Sequence, residues 1–583
     1  MEEYQDVLSL VKGEIEEFYK AYIDFGGGYT FKQYEVIENV YRYLNQMFLE
    51  NIKDDEGVEK LFYDVISWRC EIATKEIDID LKDIRVVAEE ASPWYAFCVE
   101  KLLKHYLQQP LFNGKDFSHF LNEVCERYPA WGHVVAKKVK DKIYLVDLRN
   151  LVCDPTAPFL QKSNFIIERH FYTPLEFQKL PFPEEKKQKV LSLYKEGKTA
   201  IFKGKGFYTQ ETGMIEVWER YGLLPESAFG KNSTNPVLTR CICSFAFSDR
   251  DEVFGIMLSE PEIIDEIPYK EVKWEEIEGR WLGRGLVEKA FYPIRRINEI
   301  MHQKRKGFLW SSIRLFQTRD PEVESNALID AKDGEVIKVS SEIRPIPMEN
   351  RDISALEIDK HEWETLLDNL TFSYDIIKGE KIPAKVPLGT TILRREAISK
   401  YFGYKREKLA LFIKEILYDW VLPELEKMNK KEVIFSLTGI STPDELESFK
   451  NAFIEEELKE RIIEYVDEYG EVPDDEAIEV LKRDIERDYF EGGTTSLIVP
   501  PNFLKEAKFK IDVNITGERV DVAARLDALQ VILQTISSQR EALKDKRVKR
   551  LIGEMLQLLG VSPALLEEKI SETEEYEKAP GKP

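Results

Sequence analysis

The sequence predicts a mostly helical α+β protein that is divided into more than one substructure, and three observations carry this prediction. The chain has 583 residues, which is too many for one hydrophobic core, so about two to four substructures are expected. Helix-start signals precede several amphipathic stretches. In residues 173–176 (TPLE), a capping box is combined with a proline at the first helical position. Between residues 130 and 260, short β-type runs alternate with turns.

The clearest β-type runs are residues 142–148 (KIYLVDL), 164–171 (NFIIERHF) and 238–247 (LTRCICSFAF). The last run contains Cys241 and Cys243, whose apolar neighbours favour a buried strand over a metal site. The six cysteines are spread thinly over the chain, which is typical of reduced, buried thiols. We therefore expect no disulfide framework.

Composition and motifs restrict the class of protein further. Hydrophobic residues make up 43% of the chain, which excludes wholesale disorder. No apolar run approaches the roughly 18 residues that a membrane helix needs, and no apolar stretch follows a basic start. We therefore expect a protein that is neither secreted nor embedded in a membrane. Motifs for a phosphate-binding loop, a dinucleotide fold, a zinc protease or a serine hydrolase are absent. No catalytic residue, metal ligand or cofactor is predicted.

One acidic pair is weighed as an exception. Asp78 and Asp80 could present two carboxylates to a metal ion from one face of a strand. The alternative is an exposed acidic edge in a chain with 107 acidic residues. We favour the acidic edge, because no further carboxylate can be assigned to the pair and the six histidines do not cluster in the sequence.

The charge distribution changes sign at one place. The formal net charge is −24, whereas a protein that grips nucleic acid normally has a broad basic surface. A Gly-Arg-rich turn at residues 279–285 (GRWLGRG) leads into a helix-type stretch with seven basic residues and two acidic ones between positions 284 and 306. We predict a basic helix face, which serves either as a contact surface or as an ordinary solvated face. Its residues are Arg284, Lys289, Arg295, Arg296, Lys304, Arg305 and Lys306.

An ordered series of elements begins at this turn. The first helix places Ile294, Ile297, Met301 and Phe308 on one stripe. β-type sequence then begins near position 311. Much further along, apolar and polar residues alternate over 509–515, which predicts a half-buried strand.

Two more helices and a lysine-bearing loop continue the series. We predict the second helix over about residues 361–377 and the third from about Arg394 to Met428, with a kink at Pro423. Between them, residues 378–391 (KGEKIPAKVPLGTT) are too rich in proline and glycine for regular structure. The basic residues in or beside this loop are Lys378, Lys381, Lys385, Arg394 and Arg395.

This order of helix, β-rich insertion, returning helix, Pro/Gly/Lys loop and long helix resembles that of the portal proteins of tailed bacteriophages, the podovirus type in particular. Residues 153–180 are similar to a family stretch in which Asp-Pro precedes an F-I-x-E-R strand and a Thr-Pro helix start. Residues 268–298 resemble the glycine-rich approach to the first stem helix. Residues 387–403 resemble the segment after the tunnel loop, but depart from it at 392–394. The resemblance extends over about residues 150–540.

The resemblance implies a ring-forming portal fold with a wing, a stem, a clip and a crown. It assigns residues 1–110 to the N-terminal helical region of the wing, 111–282 to the α/β wing, 283–310 to the first stem helix, 311–356 to the clip, 357–378 to the second stem helix, 379–393 to the tunnel loop, 394–520 to the long helix and the remainder of the wing, and 521–583 to the crown helices and a frayed tail.

The resemblance also implies a function without catalysis. Portal proteins form a ring of twelve copies at one capsid vertex, through which DNA is packaged, retained and ejected. The implied partners are other copies of the chain, double-stranded viral DNA in weak non-specific contact, the terminase large subunit, the major capsid protein and a tail adaptor protein. The implied location is the virion, and the host cytoplasm during assembly. Two alternatives stay open: a metal-dependent DNA-processing enzyme that uses Asp78 and Asp80, and a tail adaptor.

Overall fold

The structure is a computed structural model of the chain. About 51% of its residues are helical and about 24% are in strands, which confirms the predicted mixture of α and β structure. The described residues are 4–20, 23–24, 30–49, 51–55, 57–81, 84–88, 99, 102–112, 114–204, 206–209, 213–229, 235–312, 316–319, 339, 341–345, 353–373, 388–428, 433–436, 454, 458, 461–462, 465, 475–490, 496–499 and 509–513.

The helices are numbered in chain order. They are α1 Gln5–Lys20, α2 Gln33–Leu44, α3 Ser67–Ile77, α4 Phe117–Trp131, α5 Pro174–Lys179, α6 Glu184–Lys195, α7 Leu286–Lys289, α8 Phe291–Ser312, α9 Ile353–Thr371, α10 Leu388–Ile416, α11 Leu422–Met428 and α12 Asp475–Phe490.

The strands are numbered in the same way. They are β1 Ile23–Asp24, β2 Thr30–Phe31, β3 Ile84–Ala88, β4 His133–Val139, β5 Lys142–Leu145, β6 Leu151–Cys153, β7 Phe165–Tyr172, β8 Ala200–Phe202, β9 Phe207–Thr209, β10 Ile215–Pro225, β11 Pro236–Phe247, β12 Val253–Ile263, β13 Tyr269–Lys273, β14 Phe316–Gln317, β15 Arg344–Pro345, β16 Val433–Ser436, β17 Ser496–Val499 and β18 Phe509–Val513.

The chain forms two compact units, each assembled from segments that are distant in sequence. The predicted α/β range 111–282 is divided between them. The first unit consists of Met1–Glu76, Val124–Ala136 and Leu145–Ile398, and the second of Ile77–Glu123, Lys137–Tyr144 and Ser399–Pro583.

A five-stranded antiparallel sheet in the order β12-β11-β10-β7-β6 forms the centre of the first unit. Its long strands are buried on both faces along much of their length, so apolar residues are not restricted to alternate positions. The predicted runs 164–171 and 238–247 correspond to β7 and β11, and the predicted burial of Cys241 and Cys243 in a strand is confirmed.

One face of this sheet is covered by α5 and α6. α5 begins at the predicted capping box, in which the Thr173 hydroxyl accepts a hydrogen bond from the Glu176 amide and the Glu176 carboxylate accepts one from the Thr173 amide. The apolar core beneath the two helices comprises Phe177, Val190, Ile215, Val217, Ile242, Ala246, Ile256 and Leu258.

The opposite face carries charged residues that are buried and paired. The Arg220 guanidinium donates two hydrogen bonds of 2.7 Å to the Glu14 carboxylate of α1. Beside it, Glu216 is only 2% exposed and accepts hydrogen bonds from the Phe202 amide and the Trp218 indole. Burial raises the pKa of Glu216 to about 7.

The predicted third long helix corresponds to α10, which is continuous through Gly403 as far as Ile416, and its residues from Ser399 onward belong to the second unit. A π-helical turn, Leu417–Val421, then separates α10 from α11. Pro423 has no amide hydrogen to donate along the helix, which is consistent with a change of hydrogen-bond pattern just before the proline. The kink at Pro423 itself stays a prediction. The strand predicted over 509–515 is β18, and it pairs in antiparallel register with β3.

The helices after the Gly-Arg turn differ from the predicted bounds. The first is split into α7 and α8, with Ala290 between them. On the predicted stripe, Ile294 and Ile297 are fully buried, whereas Phe308 is 50% exposed, so the stripe is buried only in its first part. The described part of the second helix begins at Ile353, eight residues before the predicted start at position 361.

Candidate functional site

The helices α8 and α9 form an antiparallel hairpin. The Arg296 guanidinium of α8 lies 2.9 Å from the Asp359 carboxylate of α9. Nearer the end of α8, Lys304 pairs with Glu357, and nearer its start the ring of Tyr292 lies 6.3 Å from that of Trp363. The residue numbers of the partners on α9 therefore decrease as the residue numbers on α8 increase, which shows that the two helices are antiparallel.

The segment between the two helices begins and ends in paired strands. β14 follows α8, β15 precedes α9, and the two are antiparallel. Phe316 lies opposite Pro345, and Gln317 lies opposite Arg344. The two ends of the segment that was predicted as the clip are therefore held together by strand pairing next to the hairpin. Most of the remainder of 311–356 lies outside the described residues.

The basic face of α8 is paired with acidic groups of its own chain. Arg295 and Arg296 both contact Glu299, and Lys306 lies 3.2 Å from Asp54. The positive charge of this face is therefore largely compensated within the chain, which the sequence did not reveal because Asp54 and Glu357 are distant from α8 in the chain. The other contacts join Arg284 and Lys289 to Glu275, Lys304 to Glu357, and Arg305 to the backbone carbonyl of Glu59.

Large apolar side chains on the hairpin remain exposed. Tyr292 is 75% exposed and Phe308 50% on α8, whereas Ile358 is 63% exposed and Leu366 43% on α9. Isolated exposed apolar residues are common on protein surfaces, but several on one short supersecondary element are typical of a contact surface.

The Gly-Arg-rich turn that precedes α7 is part of the buried core. The Trp281 ring is fully buried, and its indole donates a 2.8 Å hydrogen bond to Glu271. Arg280, only 6% exposed, forms two hydrogen bonds with Glu288. The described contacts of this turn organise the packing that leads into α8.

The glycines of this turn allow backbone to approach backbone. A Cβ atom on Gly283 would lie 2.4 Å from the Gly132 carbonyl oxygen, and one on Gly285 would lie 2.5 Å from the Gly132 amide nitrogen. Gly132 itself has a φ of +75°, a conformation that glycine adopts without strain. The three glycines therefore set the close contact between this turn and the start of β4.

A buried histidine connects the turn to the adjoining sheet. His133 accepts a hydrogen bond at Nδ1 from the Gly283 amide, which assigns its proton to Nε2, and Nε2 lies 2.9 Å from Glu271. Burial lowers the pKa of His133. Burial alone would raise the pKa of Glu271, but the contacts from His133, Lys273 and Trp281 hold it below its usual range.

A cavity of about 270 Å³ lies beside α8 and was not predicted from the sequence. His302 lines it and pairs through Nε2 with Asp54 at 3.0 Å, while its buried Nδ1 has no hydrogen-bond partner among the described residues. Hydrogen bonds from His302 and Lys306 hold the pKa of Asp54 below its usual value. Other lining residues are Tyr43, Phe48, Leu49, Lys60, Phe62, Arg295, Asn298, Glu299 and Gln303.

The predicted channel residues are described only in part. Lys378, Lys381 and Lys385, with the rest of the predicted tunnel loop as far as position 387, lie outside the described residues. Arg394 and Arg395 belong to α10. The assignment of these five residues to a channel stays a prediction.

The acidic pair considered as a metal site does not lie on a strand. Asp78 and Asp80 follow the end of α3 in irregular backbone, so the alternative that we did not favour, a metal site on one strand face, lacks its strand. In the described part of the chain, the residues that come together with metal-ligand spacing are instead Glu168, His170 and Glu219 on the large sheet. In the sequence, Glu168 and His170 are two residues apart. Glu219 joins this group only because its strand pairs with theirs.

Comparison of the chain with protein-family models and with curated proteins finds no match. The helices of the described residues include none with both the length and the apolar character that a membrane crossing requires.

Proposed function

We propose that this chain is the subunit of a portal ring at one vertex of a tailed-phage capsid. The observation that carries the proposal is the hairpin of α8 and α9, which is interrupted at its tip by a segment whose ends pair as β14 and β15. This arrangement has a helix, a segment that begins and ends in paired strands, and a returning helix, in the order expected of a stem and a clip. A third long helix, α10, follows in sequence.

The exposed apolar residues of the hairpin support assembly into a ring. In a cyclic oligomer each subunit uses two different surfaces, one for each neighbour. Tyr292 and Phe308 on α8, and Ile358 and Leu366 on α9, supply apolar area on both helices of the stem. Burial of apolar side chains contributes roughly 25 cal/mol per Å², and many repeated contacts would stabilise a closed ring.

The charge distribution supports a role as a conduit that does not hold DNA tightly. The net charge of −24 repels the phosphate backbone. The basic residues of α8 are engaged by acidic groups such as Glu299 and Asp359, which lowers their capacity to release counterions from DNA. The lysines of the predicted tunnel loop would then make the weak contact with DNA. A separate terminase motor would supply the chemical energy for packaging.

The proposed partners follow from this role. They are further copies of the chain, double-stranded viral DNA, the terminase large subunit, the major capsid protein and a tail adaptor. The proposed location is the capsid vertex, after assembly in the host cytoplasm. No catalytic residue or cofactor is proposed.

Electron microscopy of the purified full chain, combined with light scattering after size exclusion, tests the proposal. We expect rings with a central hole and a subunit number near twelve. Replacing Tyr292 and Ile358 by serine should weaken ring formation. Leu175→Ser is the matched control, because Leu175 is 74% exposed but lies on α5, and it should leave the ring intact.

The same preparation separates the alternatives. A protein that stays monomeric under all conditions and cleaves DNA when Mg²⁺ is added would refute the portal assignment and support a DNA-processing enzyme. Rings that form equally well in wild type and in the Tyr292→Ser, Ile358→Ser variant would refute the stem as the contact surface while leaving the ring itself in place.

A further inference from the structure

Three potential metal ligands converge on one face of the large sheet. Glu168 on β7 and Glu219 on β10 are directly opposite each other in the antiparallel register. His170 lies two residues after Glu168 and therefore on the same face. Its Nε2 atom is 3.3 Å from the Glu219 Oε2 atom and 3.9 Å from the Glu168 Oε2 atom. The three ligand atoms all lie within 4.8 Å of one another.

The position of the two carboxylates is unfavourable without a nearby positive charge. Glu168 is 5% exposed and Glu219 is 6% exposed. Like charges directly opposite each other on neighbouring strands destabilise a sheet, and burial increases their repulsion because the local dielectric constant is lower. Arg240 contacts Glu219 at 2.6 Å, but it also contacts Glu262 at 3.4 Å. The site therefore combines two buried anions with a guanidinium that is shared between two carboxylates.

We propose that Glu168, His170 and Glu219 bind one divalent transition-metal ion, and that Zn²⁺ fits this site best. One imidazole nitrogen and two carboxylate oxygens are ligands that Zn²⁺ accepts, at about 2.0–2.2 Å from the ion. Atoms that are 3.3 and 3.9 Å apart need little movement to meet such an ion. Mg²⁺ and Ca²⁺ prefer sites made entirely of oxygen ligands, so the imidazole selects against them.

Neighbouring side chains already orient the ligands. Arg240 and the Tyr221 hydroxyl both donate to Oε1 of Glu219, which leaves Oε2 directed at His170. The Tyr269 hydroxyl donates to Glu168 at 2.8 Å and is itself buried. Hydrogen bonds of this kind fix the orientation of metal-binding carboxylates, and their loss typically weakens metal affinity about 10- to 100-fold.

Burial indicates that the ion has a structural role. The two carboxylate side chains are 6% and 8% exposed, whereas the His170 side chain is 23% exposed, so an ion would enter past the imidazole. Catalytic zinc sites keep a coordination position open to substrate. The proposed site is mostly buried, so little solvent reaches it. Bound Zn²⁺ would link β7 to β10 and remove the repulsion between the two carboxylates.

Metal uptake by the purified full chain tests the proposal. After treatment with EDTA and removal of the chelator, we expect one Zn²⁺ to bind per chain and to raise the thermal unfolding temperature. Mg²⁺ at the same concentration should not do so. Co²⁺ should give an absorption spectrum typical of nitrogen and oxygen ligands, without a thiolate charge-transfer band. His170→Gln should lose binding, and Tyr269→Phe should weaken it about 10- to 100-fold. His119→Gln should not change binding, because exposed His119 pairs only locally with Asp116.

Glu168→Gln separates metal binding from a purely structural hydrogen bond. The amide oxygen of glutamine can still accept from Tyr269, and the like-charged pair is removed. This variant should therefore unfold at the same temperature as the metal-free wild type or a higher one, yet show no further rise with Zn²⁺. Equal zinc uptake by wild type and by the His170→Gln or Glu168→Gln variant would overturn the proposal, as would a thiolate band with Co²⁺ or no uptake by wild type.

Discussion

Adding one methyl group to Gly285 tests the close backbone contact at the start of α7. Gly285 has a φ of −93°, which any residue adopts, so Gly285→Ala introduces no backbone strain of its own. The new Cβ would instead lie 2.5 Å from the Gly132 amide nitrogen, 2.6 Å from the Ala130 carbonyl oxygen and 2.7 Å from the Trp131 carbonyl carbon. All three neighbours are backbone atoms, which cannot rotate away as a side chain can.

The size of the effect follows from these distances. Ordinary contact begins near 3.4 Å, so the turn must move by roughly 0.7–0.9 Å within a closely packed core. Overpacking of this kind costs about 1–3 kcal/mol, and we expect a value near 3 kcal/mol because three contacts are shortened together. Urea denaturation followed by tryptophan fluorescence measures it, since Trp274 and Trp281 are fully buried near the turn.

The same substitution at Gly403 is the matched control. A Cβ on Gly403 meets nothing within 4 Å, and the residue lies inside α10. Alanine is favoured over glycine in a helix by about 0.5–1 kcal/mol, so Gly403→Ala should stabilise the protein. If Gly285→Ala changes stability by less than about 0.5 kcal/mol, or stabilises as Gly403→Ala does, the proposed close packing is refuted.

Two further predictions concern buried and exposed charges. Burial raises the pKa of Glu216 from 4.5 to about 7. The neutral form is thus favoured in the fold, and its contribution to stability is present below pH 4.5 and lost as the pH rises through 7. Glu216→Gln should gain up to about 3 kcal/mol relative to wild type over that window in pH-dependent denaturation, and parallel curves would contradict this. On the hairpin, the side chains of the Arg296–Asp359 pair are each about one-third exposed. A double-mutant cycle should therefore give a coupling free energy of about 0.2–1 kcal/mol that weakens in high salt. Zero coupling at low salt would count against the antiparallel pairing.

Local patterns predicted much of the secondary structure correctly. The capping box before α5, the strands β7, β11 and β18, and the interruption near Pro423 all arise from interactions between residues close in sequence. These interactions act over one or two turns or along one strand, so periodicity and start signals contain the necessary information.

The candidate sites could not be predicted in the same way. The basic stretch from Arg284 to Lys306 was evident in the sequence, but the acidic partners Asp54 and Glu357 were not, because helix packing brings them from far away in the chain. Likewise, Phe308 fits the apolar stripe by spacing, yet it is half exposed in the fold.

The sequence by itself determined the composition class, the order of helices and β segments, and the glycine-rich turn before α7. The tertiary structure alone decided that this turn is buried, that the charges of α8 are compensated within the chain, and that Glu219 joins Glu168 and His170. The physical reason is that propensity and periodicity depend on near neighbours, whereas burial, charge pairing and metal-ligand geometry depend on residues that only folding brings together.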